Sequence, residues 1–220
     1  EQLNNNNTLQ RQNEQSLVVN TCKLEPEDSR AVFKNINVDM RQFKKLRMFM
    51  HAEEGSAIGL QDGDAVGFIR MGNDFTQNYY QIEIPLVVSP TGSTNENDIW
   101  PNENEINLPI EVLAKIKALG ISAGTLGNLE PTFYNVIDGV LDETDVAEFS
   151  PYTIGQQRVA IKGNPNFGDI RTLMVGIKNS RTQLENIEVC TEVWFNELRL
   201  SDMDNEGGWA AIASMDSNIA

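Results

Sequence analysis

The stretch Val193-Trp194-Phe195-Asn196-Glu197-Leu198-Arg199-Leu200, followed by Ser201-Asp202-Met203-Asp204-Asn205-Glu206-Gly207-Gly208-Trp209, decides the fold. Its first eight residues read as a buried strand that closes a β-sandwich. Trp194 falls on one face of that strand and Phe195 on the other. The next nine are acidic and carry paired glycines, as an exit from the last strand would.

The same grammar runs back through the chain. Lys45-Leu46-Arg47-Met48-Phe49-Met50-His51-Ala52 alternates, with Leu46, Met48 and Met50 on one face. Tyr80, Ile82, Ile84 and Leu86 share one face of the strand from Tyr79, with Gln81 and Glu83 on the other; Pro85 marks an edge position or a strand end. Further strands are expected at Leu17–Leu24, Ala31–Lys34, Ala65–Met71, Arg158–Gly163 and Ile170–Asn179. Pro109 to Gly120 changes period, with Pro at the first turn, Val112, Leu113, Ile116 and Leu119 at helical spacing, and Gly at the stop. The spacing predicts one short amphipathic helix packed on the sandwich. Residues 121–151 read as a long loop or an inserted hairpin. The fold expected is therefore all-β, an antiparallel sandwich over residues 17–202, with the Asn- and Gln-rich residues 1–16 as a polar linker and 203–220 as an exit hinge. The chain opens inside a polar tract and stops abruptly, and it reads as a piece of a larger protein.

Composition narrows the chemistry. The formal charge of -15 disfavours nucleic acid and anionic lipid, which both need clustered Lys and Arg. Carboxylates on outward strand positions serve solubility and keep sheet edges apart. No run of residues is long and apolar enough for a membrane helix. Cys22 and Cys190 are too far apart in sequence for a local metal motif; they read as two buried free thiols, with a disulfide as the alternative if the first and last strands are neighbours in an oxidising compartment.

No motif for catalysis emerges, and none is expected. His51 is the single histidine and reads as a hydrogen-bonded structural residue. Asp202-Met203-Asp204-Asn205-Glu206-Gly207 has the oxygen spacing of a calcium loop, but the position that needs a bidentate Glu is Ala213. Calcium between sandwich loops remains the one cofactor alternative to none, with Asp202 and Asp204 as candidates beside Asp62, Asp64 and Asp74. Trp100, Tyr79 and Tyr134 are candidate stacking residues for a sugar ring.

Two segments carry a resemblance. Val38-Asp39-Met40-Arg41-Gln42-Phe43-Lys44-Lys45-Leu46-Arg47-Met48-Phe49-Met50-His51 and Val193–Leu200 resemble the opening and closing strands of galactose-binding-like jelly rolls. More specific blocks occur in the order found in the SprA/Sov family. They are Phe68-Ile69-Arg70-Met71-Gly72-Asn73-Asp74, Asn78–Leu86, Trp100-Pro101 with Asn104-Glu105, Lys162-Gly163-Asn164-Pro165-Asn166, and Trp194 to Ala211. This resemblance spans residues 17 to 215, with 121–151 unmatched. It implies a non-catalytic structural and interaction domain of the outer-membrane β-barrel translocon of type IX secretion in Bacteroidetes, required for gliding motility in species that glide. Such a domain would face the periplasm or the cell exterior. Its partners would be the rest of its own barrel chain, accessory secretion subunits and exported proteins, and in isolation it would be a monomer. Trp209 onward, with Ala211, Ala213 and Met215 alternating, would begin a barrel strand. The rival reading is a carbohydrate-binding module of a cell-surface protein.

Overall fold

The computed structural model describes residues 2–5, 8–11, 16–55 and 59–203. The polar opening, expected as a linker, contains an antiparallel hairpin of β1 (Gln2–Asn5) and β2 (Thr8–Arg11). A ladder of backbone hydrogen bonds needs no apolar face, so composition alone did not reveal it.

The sandwich begins with β3 (Leu17–Leu24), β4 (Ser29–Val38) and β5 (Phe43–Glu54), then β6 (Ala65–Gly72) and β7 (Tyr79–Pro85). A short helix, α1 (Glu96–Ile99), precedes β8 (Glu105–Pro109) and the longer helix α2 (Ile110–Ala123). The chain continues through β9 (Thr132–Ile137), β10 (Val140–Val146), β11 (Gln157–Lys162), β12 (Ile170–Asn179) and β13 (Val189–Met203). β4 is much longer than the short strand expected. β8 was missed because Pro109 follows only two inward apolar residues, Ile106 and Leu108.

Two antiparallel sheets face each other. One has seven strands in the order β10-β9-β11-β7-β6-β12-β4, the other four in the order β3-β13-β5-β8. The all-β sandwich is thus the observed architecture. The two segments that carried the jelly-roll resemblance, β5 and β13, lie side by side, with Trp194 opposite His51 and Phe195 opposite Met50. The core between the sheets holds Met48, Met50, Ile69, Met71, Tyr80, Ile82, Val159, Ile161, Val193 and Phe195. Pro85 is the last residue of β7, an interior strand, so it ends the strand and does not mark an edge.

The larger sheet outgrows the smaller one beyond β8, and α2 fills the difference. Its Val112, Leu113 and Ile116 join the core that Tyr134 and Val136 complete from β9. The helix runs past Gly120 to Ala123 and ends at Gly124, which takes the left-handed conformation at φ 70°. Gly120 serves packing instead, because a side chain there would collide with Leu126. Residues 121–151 contain the hairpin β9–β10, whose turn residues Asp138 (φ 51°) and Gly139 (φ 77°) are both left-handed. Asp-Gly is a strong hairpin signal, and it was present in the sequence.

β13 continues through Met203, still paired with β5, despite a register shift after Asn196 and a left-handed Glu197 at φ 51°. The exit hinge read from Ser201 therefore cannot start before the end of that pairing. Residues 204–220, where the barrel-type strand was expected, lie outside the described residues.

Cys22 on β3 and Cys190 on β13 form a disulfide across a sequence separation of 168. The free-thiol reading is corrected, because β3 and β13 are direct neighbours and bring the two sulfurs together. Unfolded, unreduced protein is expected to show no free thiol in a thiol titration. A Cys22→Ser/Cys190→Ser variant is expected to lose about 2–5 kcal/mol in denaturant unfolding, the usual range for removing a native disulfide.

Candidate interaction face

The groups that sequence singled out for chemistry are each engaged locally. His51 is buried on the outer face of the small sheet, between the rings of Trp100 and Trp194 at 5.7 Å and 5.6 Å. Its Nδ1 lies 2.7 Å from the Ile99 carbonyl oxygen, which can only accept, so Nδ1 carries the proton. Ser89 Oγ is 2.9 Å from the same nitrogen, and it donates to the Asp98 carbonyl at 2.6 Å. A nitrogen that already bears hydrogen is no base for that serine. Nε2 faces the Glu53 carboxylate at 2.8 Å. The cluster resembles a nucleophile triad in residue type only; its bonds pin α1, and Ser89 ahead of it, to β5.

The calcium candidates do not converge. Asp62 accepts from the Val88 N–H at 2.8 Å, and Asp64 pairs with Arg181 at 2.6 Å. Asp202 sits 3.5 Å from Lys45, and Asp204 lies outside the described residues. Asp74 organises its own turn: burial pushes its carboxyl up, but the N–H groups of Gln77, Thr76 and Asn78 and the Asn78 side chain outweigh that and bring it down to about 2. Among the described residues no three His, Cys, Asp or Glu side chains are grouped to hold a metal.

The candidate stacking aromatics are also occupied. Tyr79 and Tyr134 are buried, and the Arg70 guanidinium covers the Tyr79 ring at 4.2 Å. Trp100 is half-buried against His51. Their burial overturns the sugar-stacking expectation for both tyrosines, since neither opens a ring face to a ligand.

The structure reveals what covers the polar face of β7. Glu83 and Gln81 do lie on the face of β7 opposite its core residues, but that face is buried. Glu83 is 0% exposed. Its carboxylate accepts from Gln81 Nε2 at 2.6 Å and Tyr152 Oη at 2.6 Å, and it pairs with Lys178 Nζ at 3.3 Å. Lys178 also reaches Glu148 at 3.3 Å and lies over the ring of Phe149. Arg158, over the Tyr152 ring at 4.0 Å, donates to the carbonyls of Glu148, Ser150 and Pro151, each at 3.1 Å. Burial and the neighbouring Glu83 charge push the Tyr152 hydroxyl far up, so it remains a donor. The segment from Ala147 to Gln156 is thereby strapped over the outer face of the large sheet. This network is closed on itself and faces inward.

The two long sides of the sandwich differ. On one side α2 closes the gap, and the edge strand β10 carries Asp142, Glu143 and Asp145, charges that resist edge pairing. On the other side the edges are β3 and β4, joined by the turn at Glu25–Asp28. β4 is ten residues long and mostly exposed, including Val32 and Phe33, the latter at 66%. Between the edges lies a cavity of about 350 Å³ lined by Leu17, Val32, Lys34, Phe195 and Leu198. A second, of about 310 Å³, follows it along β4 past Ile36 and Val38 and shares Leu173 and Leu198 with the first. This apolar groove beside an open, long edge strand is the candidate functional feature. Sequence reasoning missed it because the inward residues of β4 look like those of any sandwich strand.

Comparison with known proteins adds one result. The whole chain, residues 1–220, matches the model of the family SprA_N, described as motility related/secretion protein. No curated protein matches the chain. Among the described residues no helix is long and apolar enough to cross a membrane, which says nothing of strands that cross in a barrel.

Lys178→Met, which leaves the buried Glu83 carboxylate without its cation, is expected to cost about 3–5 kcal/mol in denaturant unfolding. Adding Glu83→Leu should recover part of that loss; two fully additive losses would refute the coupling. Asp74 has its folded pKa at about 2, below the ordinary value of 3.8. Its contribution is therefore complete above about pH 4 and lost as pH falls through about 2. Asp74→Ala should be less stable than the parent at neutral pH, and the gap should close on acidification, as followed by thermal unfolding across pH.

Proposed function

The chain belongs to the SprA_N family of motility-related and secretion proteins, and from that premise we propose that it is a non-catalytic structural and interaction domain of an outer-membrane protein-secretion translocon, serving type IX secretion and gliding motility. The observation that carries this reading is the unequal treatment of the two sides of the sandwich. An edge strand as long as β4, beside an apolar groove, is a liability in a free domain and an asset where another polypeptide lies against it. The groups that chemistry would need are bound up in holding loops: His51 at α1, Asp74 in its turn, Glu83 and Arg158 under the strap.

Two further features support the setting. A disulfide suits an oxidising compartment, as the periplasm or the cell exterior provides. The net charge of -15 would limit unspecific adhesion of passing chains to the rest of the surface. The partners on this reading are the barrel part of the domain's own parent chain, accessory secretion subunits and exported proteins. A carbohydrate-binding role has no exposed aromatic platform from Tyr79 or Tyr134 to rest on.

A photoreactive side chain in place of Phe33, introduced into the parent protein in intact cells, is expected to cross-link to the barrel portion or to an envelope protein. The same group in place of Leu129, 86% exposed on the opposite side of the chain's groove, is not. Adducts from Leu129 alone, or binding to a glycan array, would overturn the reading.

A further inference from the structure

The groove has a charge as well as a shape. Residues 29–47 contain Arg30, Lys34, Arg41, Lys44, Lys45 and Arg47, six of the chain's 17 basic residues, against the single acid Asp39. Most of them are engaged: Arg30 with Asp28, Arg41 with Asp39, Arg47 with Glu105, and Lys45 with Asp202. Lys34 differs. It pairs across the ladder with Leu173, lines the first cavity among apolar side chains, and has no carboxylate partner among the described residues.

An inward-pointing charge on an edge strand is a known guard against wrong pairing. A neutral or basic strand laid along β4 would leave the Lys34 ammonium desolvated over an apolar groove. A strand that brings a carboxylate to that position turns the obstacle into an ion pair, which is selectivity by charge. A second copy of this chain does not meet that demand: its β4, Ser29-Arg30-Ala31-Val32-Phe33-Lys34-Asn35-Ile36-Asn37-Val38, holds two cations and no acid. β10, by contrast, carries the exposed acids Asp142, Glu143 and Asp145, which would repel the carboxylate that Lys34 attracts.

We propose that β4 receives an added strand, an extended segment of a partner polypeptide with apolar side chains at alternate positions and a carboxylate opposite Lys34. The backbone of that segment would pair with the free edge of β4, and its inward side chains would enter the two cavities in succession, against Leu17, Phe195 and Leu198 and then Ile36 and Val38. This rests on the reading of the open side as an interaction face and names what the face selects.

The test uses the 220-residue chain and two blocked peptides, Val-Thr-Val-Thr-Glu-Thr-Val-Thr-Val, which carries its valines and its glutamate on one face, and the same sequence with Lys in place of Glu. The Glu peptide is expected to slow amide hydrogen exchange along residues 29–38 and to bind about tenfold or more tightly than the Lys peptide, since like charges at a pairing site are strongly disfavoured. Lys34→Glu, at an exposed position that tolerates change, should invert that preference. Equal binding of both peptides, protection at β10 in place of β4, or self-association that protects β4 without peptide would each overturn the proposal. Cross-links from position 33 in cells together with no peptide preference would leave the interaction face standing and remove the added strand.

Discussion

A carboxylate with no access to water, that of Glu83, sets the terms for the rest of the structure. Burying a charge is costly unless it is paired and hydrogen-bonded on all sides. Here Gln81 comes from the same strand, Lys178 from β12, and Tyr152 from the strap. The strap cannot lift without uncovering the charge, and Arg158 holds the strap by three of its carbonyls. The central strands of the large sheet are thus buried on both faces, one by apolar packing and one by a polar network. Such networks specify a unique arrangement because a half-satisfied one is worse than none.

That rigidity has a geometric result. With its outer face strapped and one side closed by α2, the domain brings a long edge strand and an apolar groove to solvent together in the strip between β3 and β4. The disulfide anchors β3 to β13, and the turn at Glu25–Asp28 joins β3 to β4. The groove is held open by stable elements, not by a loop. A preformed site of this kind lowers the ordering cost of association on the domain's side.

The strands were legible where alternation coincided with a one-sided burial. In β5, Leu46, Met48 and Met50 read correctly as core, and β13 read correctly as the sandwich's last strand. Alternation gave the right faces for β7 too, but it cannot say whether the polar face meets water or a strap, so the burial of Glu83 was not legible. Gly120 looked like a helix stop because the demand of Leu126 for its space is a tertiary fact. The hairpin β9–β10 was half visible in Asp138-Gly139 and hidden by the acidic, little-buried β10 that follows. The pairing of Cys22 with Cys190 depended on strand adjacency, and the groove on two edges brought together from different sheets. Neither is a property of any local window.

The disulfide also decides how this domain would carry tension. β3 and β13 run antiparallel, with Leu17 opposite Phe195, so the chain enters and leaves the sandwich at the same end. A pull on those two strands would begin to part them like a zipper. The peeling would stop at Cys22 and Cys190, and the load would then pass from one strand to the other through the sulfurs. Everything between those residues, including the strap, the helix and the open edge of β4, lies in a covalent loop outside the line of force. In a protein of a motility-related family, such a shunt would let tension open the groove wall at Leu17, Phe195 and Leu198 while the strap, the helix and β4 kept their shape.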